Sequence, residues 1–594
     1  MNLARIERRR SAAPDRLTAD IHPVLRRVYA LRGLTDGEEL DLSLERLLPV
    51  GSLDGVDAAA ALLMAHRAAG RVLVIGDFDA DGATSTALVV RALRAMRFAQ
   101  VDFLVPNRFR FGYGLTPEIV ALAATHRPSL IVTVDNGVSS VAGVEAARQL
   151  GIPVLVTDHH LPGAALPRAQ IIVNPNLANS RFASPALAGV GVAFYVIAAL
   201  ARTLQDHEFR AAELLDLVAL GTVADVVPLD RNNRILVAQG LRRIRAGRCV
   251  PGIRALLESA GRRFEKIIAA DLGYAVAPRL NAAGRLTDMS VGIACLLADD
   301  PAEAGRLAAM LAALNEERRE IETRMQLEAL KIAAGVRFGG DGSESPGLCL
   351  FDESWHQGVV GLVAGRIKDR LHRPVIAFAR AEDGSLRGSG RSVSGVNIRD
   401  ALDSIATLHP GLIDKFGGHA MAAGMSLAEH KLEAFKAAFA VEIAARADRE
   451  TLAGIIHSDG ELSAAELCLD TARALRGAGP WGQGFPEPLF DGNFQILDAR
   501  ILAGKHLKMQ LMGAGSTAGA GSTAGAGSTA GVGSTAGAAA GEPIEAIAFG
   551  YVGGAAENPG VRRGARIHLA YRLEVNDYRG IERVQLNCQH LSPA

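Results

Sequence analysis

The chain has 594 residues, 49% of them apolar, with 64 Lys+Arg balanced by 64 Asp+Glu. That is long enough for three or more packed domains, and the neutral balance excludes a uniformly basic molecule, so any phosphate-binding surface must be local. Five scattered cysteines (Cys249, Cys295, Cys349, Cys468, Cys588) without a CxxC pair argue for buried free thiols, and the lack of a run of roughly 18 apolar residues leaves a soluble cytoplasmic protein with no membrane role as the expectation.

In chain order, residues 1–60 read as a lead-in with short helices near 24–31 and 40–48. Residues 61–300 begin with apolar runs at 72–75, 101–105, 130–134, 154–156 and 171–173, separated by Ala-rich helical patterns at 84–96 and 139–150. That alternation predicts a parallel, doubly wound α/β sheet, followed by mostly helical sequence over 230–300. A helical period over 301–335, carried by Leu307, Leu311, Leu314, Ile321 and Met325, predicts one long connecting helix, either a strut between domains or an ordinary packed helix. A second, smaller α/β unit follows at 345–450, with strands at 348–351 and 375–379, a helix at 359–371 and a Gly-rich turn at 416–424. Short strand-like runs over 455–594 suggest an OB-like β-barrel, interrupted at 513–541 by a Gly-Ala-Gly-Ser-Thr-Ala repeat that reads as a tolerated disordered insertion.

Four polar turns carry the chemistry. Asp77-Phe78-Asp79-Ala80-Asp81, Asp135, Asp158-His159-His160 and Asp225 each follow an apolar, strand-like run, the last of these at 217–220. Strand carboxyl ends in a parallel sheet open onto one crevice, so these turns can meet. Carboxylates gathered there repel one another unless cations lie between them, and mainly oxygen ligands with few nitrogens suit Mn²⁺ or Mg²⁺ better than zinc. The DxDxDG run imitates half of an EF-hand, but the twelfth position is Leu88 where Glu is required, and a strand pattern precedes it. The three Asp could divide between two ions, with the start of the following helix near any bound phosphate. Asp79 or a neighbour could instead merely cap the following helix. The Asp158–His160 triplet offers three consecutive candidate ligands.

On these residues the chain resembles the DHH phosphoesterase superfamily. Residues 72–82 resemble its first motif; GTVADVVP (221–228), LNAAGRL (280–286), WHQG (355–358), GSGRS (388–392) and the GGH of 417–419 resemble later ones, the last belonging to its DHHA1 domain. The resemblance implies one ion among Asp77, Asp79 and Asp135 and a second among Asp81, Asp135, His159 and Asp225, with Asp135 bridging. His160 would face the scissile phosphate, making Asp79, Asp135 and His160 the catalytic set.

The resemblance further implies two-metal hydrolysis of single-stranded DNA from a free 5′ end, 5′→3′ to mononucleotides, in repair and recombination. Phosphate-binding candidates are Arg108, Arg279, Arg285, Ser389, Arg391, Ser392, Gly417, Gly418 and His419, and the barrel would bind strands through aromatics such as Phe494, Tyr571 and Tyr578. A monomer working with single-strand-binding protein and a repair helicase is expected. The alternatives are a phosphodiesterase for short oligonucleotides or cyclic dinucleotides, which would need neither the long helix nor the barrel, and a non-catalytic DNA-binding scaffold, which would have lost its ligands.

Overall fold

The computed structural model describes residues 5–10, 17, 20–107, 111–205, 208–338, 343–513, 542–551, 561–577 and 580–594. Arg108, Tyr578 and all but the first residue of the repeat insertion lie outside them. The chain divides into two units, one of Leu42–Leu452 and Pro480–Phe485, the other of Met1–Asp41, Ala453–Gly479 and Pro486–Ala594.

In the first unit five parallel strands stand in the order Gln100–Leu104, Arg71–Ile75, Leu130–Val134, Val154–Thr157, Ile171–Val173. The central three are apolar and buried along almost their whole length because helices cover both faces. The chain leaves Arg71–Ile75 to one side and returns as Leu130–Val134 on the other, so the topological switch point falls between these two strands. Asp77 and Asp135 follow their carboxyl ends.

The expected strand at 217–220 is instead part of the helix Leu215–Ala224, and Asp225 sits at its C-terminal end. The helix is buried between Ala80–Ala95 and Arg231–Arg245, so its Leu-Val-Ala-Leu run is apolar all round and carries no helical stripe. Likewise, 40–48 forms 3₁₀ turns, Gly37–Leu40 and Leu44–Arg46, in place of a helix.

The helix Pro301–Gly335 runs 35 residues, about 50 Å at 1.5 Å per residue. Its first half packs on Pro251–Ser259 and Ala277–Leu286, its second on Leu348–Phe351 and Val360–Leu371, so it is both a packed helix and a link between two sheets. Midway, buried Arg318 pairs with Glu322, whose other oxygen accepts from Arg366 Nε at 2.9 Å. The second sheet has the order Lys415–Gly418, Ala422–Ala428, Ser385–Arg391, Val375–Arg380, Leu348–Phe351, with only the last pair parallel. The expected 416–424 turn is the tip of an antiparallel hairpin.

The second unit holds a closed barrel of Phe490–Leu502, His506–Gly513, Ile544–Ala548, Arg583–Pro593 and Arg566–Asn576. Phe494 and Tyr571 fill its core with rings 5.6 Å apart, so neither offers a face to a nucleobase, contrary to expectation. The lead-in as far as Asp41 belongs here as well, while its remainder folds with the other unit. Arg5–Arg8 pairs in parallel with Ile455–Ser458. Arg32 is clamped on buried Asp459 through Nη1–Oδ1 at 2.5 Å and Nη2–Oδ2 at 2.9 Å. Among the described residues no single helix is long and apolar enough to cross a membrane. All five cysteines are unpaired, but Cys249 and Cys468 are only half-buried.

Removing Asp459 takes the counter-charge from a guanidinium, that of Arg32, which is 2% exposed and still donates to Pro486 O. Asp459→Ala should destabilise this unit by about 3–5 kcal/mol in urea unfolding, whereas replacing both partners with apolar residues of similar size should recover most of the loss.

Candidate metal centre

Asp79 caps the helix Ala80–Ala95, accepting from Gly82 N at 3.0 Å. It does this while also lying within ligand reach of Asp77 and Asp135, so capping and clustering are compatible. Asp81, in the first turn of that helix, aims at another helix start: its oxygens accept from Gly189 N at 2.6 Å and Val190 N at 3.0 Å. Those are the first two residues of Gly189–Leu204, where free N–H groups and the helix dipole favour an anion. Asp135 holds a left-handed backbone, φ 61°, which an Asp tolerates better than most residues and which turns it off its strand toward the cluster.

These elements bring together three ligand groups: Asp77, Asp79 and Asp135; Asp81, His159 and Asp225; and Asp135, His159 and His160. The atoms within each group lie inside 4.8 Å, and Asp135 and His159 each belong to two groups. His159 Nε2 is 3.2 Å from Asp135 Oδ1 and 3.5 Å from Asp225 Oδ2. His159 Nε2 and Asp135 Oδ1 are buried and have no hydrogen-bond partner among the described residues. Two orphaned polar atoms facing one another in a nest of carboxylates fit a divalent ion between them.

Electrostatics carry the same message. Burial, then the charge of Asp79, pushes Asp81 up to about 7. Burial and neighbouring carboxylates likewise hold Asp135 and Asp225 well above the usual range. Burial drives His159 down to about 4, which keeps its imidazole neutral and its lone pair available. His160 is opposed by burial, but its hydrogen bond to Asp158 raises it on balance above the ordinary value.

Asp158 is not presented as a ligand. Its Oδ2 accepts from Val138 N at 2.8 Å, and its Oδ1 accepts from His159 N and His160 N and meets His160 Nδ1 at 2.8 Å. It organises the turn that offers the two histidines. Several supports escaped the sequence reading. Asn174 and Asn176 donate to the carbonyls of His160 and His159 at 2.9 and 2.6 Å, and Asn136 bonds the strand ends at Ile75 and Val134. Tyr113 Oη reaches Asp135 O and His160 Nδ1, both at 3.2 Å. Asn281 accepts from Ala80 N at 2.8 Å, and neighbouring Gly284 is a position where a Cβ would stand 1.8 Å from Phe78 O. The Asn-Pro-Asn after a strand and the Asn of LNAAGRL were the only visible cues.

The phosphate candidates separate. Arg391 is largely buried, has no carboxylate partner among the described residues, and places Nη1 3.1 Å from Ser389 Oγ. Gly417, Gly418 and His419 are exposed at the hairpin tip. Arg285 donates to Gly358 O at 3.2 Å, joining LNAAGRL to WHQG. One candidate is committed elsewhere: the Ser392 hydroxyl is buried and donates to Val396 O at 2.6 Å. Ser392 has the residue type a phosphate site uses, but a backbone carbonyl has claimed its hydroxyl. Arg279 donates to Ala275 O at 2.6 Å, and its buried Nε has no hydrogen-bond partner among the described residues. Arg108 lies outside the described residues.

Comparison with known proteins agrees with this anatomy. Residues 71–222 match the DHH family, N-terminal domain; 344–445 match the DHHA1 domain; 458–520 match the RecJ OB domain. The chain is 50% identical over 587 residues to the single-stranded-DNA-specific exonuclease RecJ of Escherichia coli strain K12, covering 97% of both chains. It is similar to the crystal structures of RecJ from Thermus thermophilus in complex with Mn²⁺ (TM-score 0.77, 31% identity, 97% of this chain and 76% of that one) and with Mg²⁺ (TM-score 0.72, 29% identity, 97% and 75%).

The shifted groups predict how metal-free stability depends on pH. Between about 4 and 6.5 folding leaves His159 unprotonated, which favours the fold as pH rises, while Asp81 keeps a proton that the unfolded chain has lost, which opposes it. Above 6.5 the raised carboxylates and His160, which is also raised, hold protons that the unfolded chain has lost, so the metal-free protein should lose stability as pH rises through about 7. Mn²⁺ replaces those protons and should flatten the slope, so its stabilising effect grows with pH in thermal melts from about pH 5.5 to 8.5. A metal effect independent of pH would contradict the cluster.

Proposed function

The chain belongs to the RecJ family of single-stranded-DNA-specific exonucleases, and we propose that it hydrolyses single-stranded DNA from a free 5′ end at the cluster around Asp135. The two orphaned, facing atoms Asp135 Oδ1 and His159 Nε2 carry this reading. Asp77, Asp79 and Asp135 would hold one divalent ion; Asp81, His159 and Asp225 would hold the other, with Asp135 shared. When bound, such ions lower the pKa of a coordinated water and neutralise charge on phosphate oxygens.

The protein's own groups do the rest. Neutral His159 contributes a lone pair, and Asp158 together with Asn174 and Asn176 fixes the turn that presents it. His160, whose proton is held by Asp158 and whose ring abuts Tyr113, is placed to donate to the scissile phosphate. Across the Arg285–Gly358 contact, Ser389, Arg391 and the Gly417–His419 tip offer hydroxyl, guanidinium and N–H donors to the 5′ end. The buried, carboxylate-free Arg391 favours an anion there.

We divide the chain into a lead-in, a DHH domain at 61–300, a connecting helix at 301–335, a DHHA1 domain at 345–450 and an OB-like domain at 455–594; the three family matches support this division. Action as a cytoplasmic monomer with single-strand-binding protein and a repair helicase rests on the family resemblance.

Asp135→Ala and His159→Ala should each lower the rate of Mn²⁺-dependent release from end-labelled single strands at least about 10²-fold, with far-UV circular dichroism unchanged. Arg391→Ala should raise KM for 5′-phosphorylated strands about 10-fold while sparing kcat, the cost of one charge-assisted hydrogen bond. A fall in kcat alone would move Arg391 out of the binding role.

A further inference from the structure

Residues Pro480–Phe485 lie in sequence between two stretches of the barrel unit, yet they fold with the unit that carries the metal centre. They grip the segment that leaves Asp225. Gln483 O accepts from Leu229 N at 2.7 Å, and Gly482 fits so closely that a Cβ there would stand 2.7 Å from the Leu229 side chain. Phe485 is buried under the guanidinium of Arg234, which is itself buried, with Cζ 4.3 Å from the ring centroid, and Trp481 stacks on the same ring at 5.1 Å and 12°. Next to Arg234, Asn233 Nδ2 donates to Pro228 O at 2.9 Å and to Ala186 O at 2.7 Å. Ala186 lies three residues before Gly189, whose N–H holds Asp81.

Between Asp225 and this grip stands Val226, with φ 60° and 63% exposed. A β-branched residue in the left-handed region is strained and persists only where its surroundings over-determine the backbone. On the near side Val226 is fixed by the end of the buried helix Leu215–Ala224. On the far side it is fixed by the contacts that Pro480–Phe485 makes with Pro228, Leu229 and Arg234.

We propose that Pro480–Phe485 is a strap that positions Asp225 as a metal ligand, with Phe485 as its principal positioning residue and Val226 as the strained link through which it acts. Phe485 lies against Arg234 and outside the three ligand groups. It sets the geometry of the Asp81–His159–Asp225 group by forbidding Val226 from relaxing. The proposal rests on reading Asp225 as a ligand, so that reading needs its own control.

The test uses the full chain. Mn²⁺ binding by titration calorimetry, the Mn²⁺ concentration for half-maximal nuclease rate, KM for single-stranded DNA and the melting temperature are compared across variants. Phe485→Ala should weaken Mn²⁺ binding about 10-fold or more, the scale seen when a ligand's support is removed. Excess Mn²⁺ should restore the rate, and KM should not move. Phe485→Tyr should keep wild-type Mn²⁺ binding. Phe485→Ala combined with Val226→Gly should regain part of the lost affinity, because glycine holds a positive φ without strain. Should Phe485→Ala not fold, Trp481→Ala, which leaves the Arg234–Phe485 contact, carries the same expectation in reduced measure. Unchanged Mn²⁺ affinity in a folded strap variant, or a loss that Mn²⁺ does not restore, overturns the proposal. If Asp225→Ala binds Mn²⁺ as the wild type does, the ligand assignment fails instead.

Discussion

Asp81, Asp135 and Asp225 are buried beside one another, and each resists ionisation because burial and its neighbours make a second negative charge costly. A fold that collects such groups without cations is working against its own stability. The surrounding structure is arranged to bear that load. Two helix-start N–H groups hold Asp81, a cap bond holds Asp79, and burial keeps His159 neutral. The sheet supplies the meeting place, since Asp77 and Asp135 follow adjacent strands at the switch point. Local order is sacrificed where chemistry needs it, as the positive φ of Asp135 and Val226 shows.

Much of this was readable from residues alone, for physical reasons. Strands buried on both faces must be continuously apolar, so 72–75, 130–134 and 154–156 announced themselves, as did the long helix by its period. Three Asp at alternate positions have few packing roles, and the structure divides them because a helix begins between them: Asp77 and Asp79, before it, group with Asp135, while Asp81, in its first turn, groups with His159 and Asp225. Asp225 was found for a wrong reason. Its apolar prelude is a helix enclosed on every side, and periodicity cannot distinguish such a helix from a strand.

What stayed hidden depends on partners distant in sequence. Asn136, Asn174, Asn176 and Asn281 act through side-chain bonds to backbone, and a single chain shows the Asn but not the carbonyl or N–H it will meet. Asp158 looked like a third ligand because sequence shows a carboxylate but not the three N–H groups that occupy it. Ser392, Phe494 and Tyr571 have suitable chemistry, but burial directs it inward. Motif membership located the neighbourhood of each residue; only packing decided which way it faced.

The parallel pairing of Arg5–Arg8 with Ile455–Ser458 has a consequence for biosynthesis. A ribosome adds about 5–20 residues each second, so the amino-terminal strand waits on the order of half a minute or more for the partner that completes its sheet. During that interval the unit containing the metal centre can fold, while the first segment remains an unpaired edge that a chaperone or a misdirected strand can occupy. Maturation therefore runs from the middle of the polypeptide outward, and the barrel unit closes last.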